Sequence, residues 1–242
     1  MNSDKFFPSR IIYFLLTLLI AMVIDSPFIM LIKDLNEGLS QTLFFALFCT
    51  TFIIVVAAIN VKKRNNVLPY YTKNLDSLWL AMLIVFVIQT LISQPAITLL
   101  NEKATTNTYD SCTIIGSLIF APILEETIFR GILLRGLLTR YSTPIAITLS
   151  TLLFALIHIN MNQIIPAFLL GILFGLVFAK THSFIFTAIL HFEANAITWL
   201  FAFSNSEKIY QALDYRILLA ILILSIPLYC YGCITISKKL RR

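Results

Sequence analysis

Residues 112–138 read CTIIGSLIFAPILEETIFRGILLRGLL, an apolar run that two acidic and two basic side chains interrupt. About 20 apolar residues are enough to cross the hydrocarbon core of a bilayer as a helix. Charged side chains are costly at that depth, and those that are kept there usually serve a function. The run therefore predicts a membrane-spanning helix that carries a functional site.

The rest of the chain is equally apolar. Of its 242 residues, 59% are hydrophobic and 12% are charged, and the mean hydropathy is +0.89. Soluble domains are less apolar and about twice as rich in charge. We place eight candidate spans, at 11–32, 41–61, 77–100, 112–138, 144–159, 164–180, 183–203 and 216–236. No polar segment between them exceeds a loop, so we expect a single membrane domain over 1–242, an all-α bundle of about eight helices.

Two of these segments are irregular. The fourth is long and contains Pro122, and the fifth is short. We expect kinks or half-helices in both, because irregular backbone is tolerated inside a membrane only where protein or water satisfies it.

The basic residues predict the orientation. With the N-terminus in the cytoplasm, 13 of the 18 Lys and Arg residues fall on the cytoplasmic side, four fall outside, and Arg130 lies within a span. Lys and Arg collect in cytoplasmic loops, so both termini are predicted to be cytoplasmic. The net charge of +6 then reflects topology and contact with the lipid bilayer, and no nucleic-acid partner is expected.

The chemistry of the fourth segment depends on helical spacing. Glu126 and Arg130 are four residues apart and can form an ion pair, while Glu125 points about 100° away. A free carboxylate beside a neutralised one suits a base in a low-dielectric site. The alternative is that both glutamates belong to a structural network at a kink.

Two later segments add polar groups to the apolar background. His158 closes the fifth segment, and Phe154 lies one turn before it, where ordinary helix packing explains it. His191 and Asn195 are four apart and share one face of the seventh segment. Glu193 faces another direction and is a potential structural partner.

Together these residues supply a carboxylate base, two imidazoles and an amide donor, the parts needed to activate water and to stabilise an oxyanion. They suggest hydrolysis. In this order, EExxxR at 125–130, FxxxH at 154–158 and HxxxN at 191–195 resemble the motifs of the CAAX-protease and bacteriocin-processing intramembrane proteases, also called the CPBP or Abi family. The resemblance covers roughly 112–200.

The resemblance implies an intramembrane endopeptidase with its active site inside the helical bundle. It assigns Glu125 as the general base for water, with His158 as its partner, and His191 and Asn195 as oxyanion donors. It assigns structural support to Glu126, Arg130 and Phe154. We expect His158 to lie within one water of Glu125.

A metal is the second mechanism that the resemblance leaves open. Glu125, His158 and His191 would supply three ligands to zinc, with water as the fourth. The chain lacks HExxH, so we favour the mechanism without a metal cofactor.

The biological role has three readings. The first is a protease in the cell membrane, acting on a peptide or membrane-protein substrate, and the small size without soluble extensions favours a bacterial source. The second is a bacteriocin self-immunity protein of the same family, acting with or without proteolysis. The third is a transporter or ion-binding protein whose buried charges line a path. The sequence predicts neither the cleavage site nor the oligomeric state, and GxxxG at 171–175 fits internal packing as well as dimerisation.

Overall fold

The computed structural model describes residues 6–62, 76–100, 110–158, 160–204 and 207–239. Within those ranges every regular element is a helix, and seven helices are long and apolar enough to cross a membrane. The helices are α1 (Ile11–Ile32), α2 (Glu37–Lys62), α3 (Leu78–Leu99), α4 (Ser111–Leu138), α5 (Thr143–Leu156), α6 (Met161–Thr181), α7 (Phe184–Ser204), α8 (Glu207–Gln211) and α9 (Tyr215–Lys239). The predicted all-α polytopic bundle is confirmed, and the chain is a multi-pass membrane protein.

The fifth predicted span differs from the other seven. Helix α5 has 14 residues, so at about 1.5 Å per residue it is roughly 21 Å long, shorter than the hydrocarbon core. Its neighbour α6 approaches it closely, because a Cβ at Gly171 or Gly175 would lie 2.8 Å from Thr151 or Ile147. The GxxxG pair therefore serves contact within the bundle.

Two clusters of buried apolar side chains form the interior. One joins α1, α2, α4, α5 and α6, and the other joins α3, α6, α7 and α9. Helix α6 contributes to both clusters, with Phe178 in the first and Phe174 in the second. The polar side chains of α4 and α7 lie at the boundary between these clusters.

Helix α4 departs twice from α-helical geometry. It contains π turns at Gly116–Phe120 and Thr127–Leu134, and the acidic pair ends the α-helical stretch Ala121–Glu126 between them. Ser150 of α5 donates its hydroxyl to the Phe129 carbonyl at 3.1 Å, so a neighbouring helix satisfies backbone in the second π turn. Such turns are frequent at functional sites. The irregular fourth segment that the sequence predicted is present.

Both ends of α4 are fixed. At its start the Thr113 N–H donates to the Asp110 carboxylate at 2.8 Å, and this hydrogen bond lowers the pKa of Asp110. Near its end the chain before α1 crosses so close that a Cβ at Gly136 would collide with the Pro8 carbonyl. The acidic pair therefore lies on a helix that is held at both ends.

Candidate active site at the boundary of α4 and α7

A buried ion pair anchors the site. Arg130 Nη1 lies 2.8 Å from Glu126 Oε1, and the two side chains are 1% and 0% exposed. The guanidinium lies over two rings, 4.3 Å from the centroid of Phe154 and 5.3 Å from that of Phe174. These cation–π contacts offset part of the cost of burying the charge. The pairing that the spacing predicted is formed.

His191 lies between the two glutamates. Its Nδ1 lies 3.1 Å from Glu126 Oε1, and its Nε2 lies 4.0 Å from Glu125 Oε2. Because Glu126 is paired with Arg130, it acts as a carboxylate acceptor, and Nδ1 of His191 must then carry the hydrogen. The second ring nitrogen consequently faces Glu125.

Both glutamates have a buried oxygen without a hydrogen-bond partner among the described residues, Oε2 in each case, and that of Glu125 is the one that faces His191 Nε2. The Glu125 side chain is 13% exposed. The 4.0 Å separation from His191 is too long for a hydrogen bond. It is short enough for one water to lie at about 2.8 Å from both atoms. The geometry thus provides a position for a water between a carboxylate and an imidazole.

His158 reaches the same region from the turn after α5. Its Nδ1 lies 2.8 Å from the Phe154 carbonyl oxygen, which can only accept, so Nδ1 is the protonated nitrogen and Nε2 is left for a ligand. The Phe154 ring contacts both imidazoles, with centroid distances of 5.0 Å to His158 and 5.9 Å to His191. Within the described ranges, no carboxylate lies within 4.0 Å of His158. Its predicted link to Glu125 through one water stays a prediction.

Asn195 is tied to α4 instead of standing alone. Its Nδ2 donates to the Ser117 carbonyl oxygen at 2.7 Å, and one turn further along α7 the Trp199 indole donates to Ser117 Oγ, also at 2.7 Å. One of the two amide hydrogens of Asn195 is therefore engaged, and the other is left for a ligand.

Three residues at the site were missed from the sequence. Ser117 receives both donors from α7, Phe174 covers Arg130 and contacts His191, and Gln89 of α3 donates to the Ala194 carbonyl at 3.0 Å. Gln89 had a signal, since it is a polar side chain inside a predicted span. Phe174 is one of 20 phenylalanines, and nothing in its spacing separates it from packing.

The three side chains named as zinc ligands do not form a ligand group. In the described part of the chain, no three His, Cys, Asp or Glu side chains are close enough together to hold one ion. Glu125 and His191 face each other, but His158 is not part of a three-ligand set with them. The residues present therefore do not fit the zinc site, and we derive no step through a metal.

An apolar groove lies beside the site. Its volume is about 430 Å³, and it lies between α4 and α7, where Pro122, Ile123, Ala188 and Phe192 are among its lining residues. Pro122 is one helical turn from Glu126, and Phe192 follows His191 directly. The groove is therefore formed by the same two helices that carry the polar residues, although none of the proposed catalytic side chains lines it.

Comparison with known proteins identifies the same part of the chain. The family described as Type II CAAX prenyl endopeptidase Rce1-like matches residues 108–197. This range contains the acidic pair, both imidazoles and Asn195, so the family that the motifs resemble is also the family that matches. No curated protein and no solved structure matches the chain.

Proposed function

We propose that the Rce1-like domain at 108–197 makes this chain an intramembrane endopeptidase that hydrolyses a peptide or membrane-protein substrate with a glutamate-activated water. One observation carries the proposal. The buried Oε2 of Glu125 has no hydrogen-bond partner and faces His191 Nε2 at a distance that admits one water. A buried unpaired carboxylate oxygen is costly, and a bound water is the simplest explanation for it.

The chemistry would follow from these positions. Glu125 takes a proton from the water while the water oxygen attacks the scissile carbonyl carbon. The carbonyl oxygen of the substrate then becomes an oxyanion. Nε2–H of His191 and the free amide hydrogen of Asn195 are the donors available to that oxyanion. The C–N bond then breaks, and Glu125 returns the proton to the leaving amine. His158 supports the water through its free Nε2.

The remaining polar residues hold the donors in place. Glu126 accepts the Nδ1 hydrogen of His191, and Arg130 forms an ion pair with the same carboxylate oxygen. The mechanism takes His191 as protonated on both nitrogens, so that an imidazolium and a guanidinium stand beside the two carboxylates and the four charges balance. Phe154 supports this group by packing against Arg130 and both imidazoles.

The groove between α4 and α7 favours an apolar substrate segment that enters from the membrane. The matched family is named for prenylated CAAX substrates, so a prenylated CAAX peptide is the first substrate to try, beside its unprenylated form and a membrane-anchored peptide. We propose that the protein lies in the cell membrane with both termini in the cytoplasm, from the distribution of Lys and Arg. A bacterial source is proposed from the small size of the chain.

The test is a pair of glutamate variants in proteoliposomes at matched protein amounts. Glu125→Gln keeps the side-chain shape and removes the base, so turnover should fall to background. Glu193→Gln is the matched control, because Glu193 also has a buried, unpartnered Oε2 on a spanning helix but contacts none of the proposed catalytic groups through a hydrogen bond or ion pair in the described structure. Cleavage is followed by mass spectrometry of the products.

Two results would contradict the proposal. Turnover that survives in Glu125→Gln would show that the Glu125 carboxylate is not the base. Equal losses of turnover in Glu125→Gln and Glu193→Gln would show that losing any buried carboxylate has the same effect, and that Glu125 has no specific catalytic role. The immunity hypothesis is tested by expressing the same two variants in bacterial cells that are exposed to the bacteriocin. Host protection that persists in Glu125→Gln would mean a role without hydrolysis.

A further inference from the structure

The backbone of α4 leaves one carbonyl without its helical partner. In an α-helix the Ala121 N–H would donate to the Ser117 carbonyl oxygen, but here it donates to Gly116, five residues back. The next residue is Pro122, which has no N–H to offer. The π turn and the proline together therefore free the Ser117 carbonyl inside the membrane, where an unpaired carbonyl is costly.

Helix α7 supplies the missing donors. Asn195 Nδ2 donates to the freed carbonyl at 2.7 Å, and Trp199 Nε1 donates to the hydroxyl oxygen of the same serine at 2.7 Å. The serine hydroxyl in turn donates to the Ile114 carbonyl at 3.0 Å, which fixes its rotamer. Ser117 thus fixes the orientation of Asn195 relative to the helix that carries Glu125.

We propose that Ser117 is a positioning residue for Asn195, and that the π turn together with Pro122 leaves the Ser117 carbonyl free to accept the Asn195 amide hydrogen. By binding one amide hydrogen, the carbonyl determines the direction of the other, which is the hydrogen that the proposed function gives to the oxyanion. The inference rests on the proposed function for its catalytic consequence. Its structural part, the linked Asn195–Ser117–Trp199 contacts, can be tested without a substrate.

The same backbone arrangement recurs in α3, which provides a control. A π turn at Ile88–Ser93 precedes Pro95, and the two carbonyls that Pro95 cannot serve accept from other helices. Tyr210 of α8 donates to the Thr90 carbonyl at 3.0 Å, and Ser225 of α9 donates to that of Leu91 at 3.1 Å. Neither donor belongs to the proposed site, so this second turn should affect folding without affecting the chemical step.

The first experiment restores the missing N–H. In Pro122→Ala the new amide competes with Asn195 for the freed carbonyl, so we expect kcat to fall about 10- to 100-fold, with KM within about twofold. A merely structural role would lower the amount of active enzyme and leave kcat per active site, KM and the pH profile unchanged. For this reason kcat is normalised to the number of titrated active sites. An unchanged kcat per active site would overturn the inference.

The second experiment removes one side-chain donor beside each of the two π turns that precede a proline, Trp199 at the turn in α4 and Tyr210 at the turn in α3. It covers the case in which Pro122→Ala does not fold. Trp199→Phe and Tyr210→Phe each delete one hydrogen bond between helices, worth about 1 kcal/mol or roughly fivefold in an equilibrium. We expect kcat per active site to fall about fivefold in Trp199→Phe, and to match wild type in Tyr210→Phe. Equal values in the two variants would contradict a positioning role.

A spectroscopic readout keeps failure of the inference distinct from failure of the proposed function. The chain has two tryptophans, so Trp79→Phe leaves Trp199 as the single indole. Its hydrogen-bond marker band in ultraviolet resonance Raman spectra should move to higher frequency in Ser117→Ala and in Pro122→Ala. A band that moves in neither variant, or only in Ser117→Ala, overturns the inference, whether or not the wild type cleaves any substrate.

Discussion

Helices α1 and α4 both bury a carboxylate, and of these two regions only the one in α4 surrounds it with complementary groups. In α1, Asp25 is 4% exposed, accepts one hydrogen bond from the Thr51 hydroxyl at 2.9 Å, and leaves Oδ2 without a partner. No cation lies within 4.0 Å of it among the described residues. In α4, Glu125 also has an unpartnered oxygen, but it faces His191 beside a second, neutralised carboxylate.

The difference shows that burial of a carboxylate does not by itself mark a catalytic site. Asp25 receives one hydrogen bond, from the Thr51 hydroxyl. Glu125 instead faces the His191 imidazole across a gap that admits one water, which is the arrangement that a general base needs. The proposed function depends on this second arrangement, which is why changes in the two regions should have different consequences.

Arg130→Ala should have the largest effect on the folded protein. Removing the guanidinium leaves Glu126 buried without its cation, which costs about 3–5 kcal/mol, comparable to the whole stability margin of many proteins. We expect little folded protein in the membrane, measured by size-exclusion chromatography in detergent. Arg130→Lys, which keeps the charge, should restore part of the yield. Normal accumulation of Arg130→Ala with loss of catalysis alone would show that the pair acts in the reaction.

Asn195→Ala should lower kcat about 10²- to 10³-fold, the usual cost of losing an oxyanion donor. Asn60 of α2 provides the control outside the site, because its buried amide exchanges hydrogen bonds with the backbone of Phe7 at 2.8 and 2.9 Å. Asn60→Ala should reduce thermal stability and leave kcat unchanged for the protein that folds. Steady-state kinetics with active-site titration separates the two effects, and equal losses of kcat would contradict the assignment of Asn195.

Asp25→Asn should have the smallest effect of the single substitutions. The amide keeps an acceptor for Thr51 and removes only the titrating group, so we expect kcat and KM to stay within about twofold of wild type. Loss of turnover in this variant would place the α1–α2 region within the catalytic machinery, and the contrast between the two carboxylates would disappear.

Chelation should have no effect on turnover. Because Glu125, His158 and His191 do not form a three-ligand group, we expect a dialysed sample with a strong zinc chelator to cleave at the untreated rate. The measurement is the initial rate before and after dialysis. Activity that falls and returns on adding zinc would favour the metal-dependent mechanism.

Local spacing and hydropathy predicted much of this architecture. The apolar runs located the seven long helices, and the interval of four residues predicted the contact between Glu126 and Arg130, because both properties belong to a single helix. The same interval placed His191 and Asn195 on one face of α7. It did not predict their partners, Glu126 and Ser117, since these depend on how α4 and α7 are packed against each other.

The π turns were beyond sequence reasoning for a related reason. Pro122 indicated an irregular helix, but the shift from α to π geometry at Gly116–Phe120 is stabilised by donors on α7 that are 78 and 82 residues away. Similarly, α5 was drawn long enough to reach His158, whereas the helix ends at Leu156 and the histidine lies in the turn that follows. Neither feature can be recognised without the neighbouring helices.

The most direct test of the central claim follows the oxygen of the attacking water. Enzyme in excess over substrate is allowed one turnover in water labelled with ¹⁸O, and both the product and the peptide containing Glu125 are analysed by mass spectrometry. If Glu125 activates water, the new product carboxylate carries one ¹⁸O and Glu125 carries none. Label in Glu125 with an unlabelled product would show that the carboxylate attacks the substrate itself, and would contradict the mechanism.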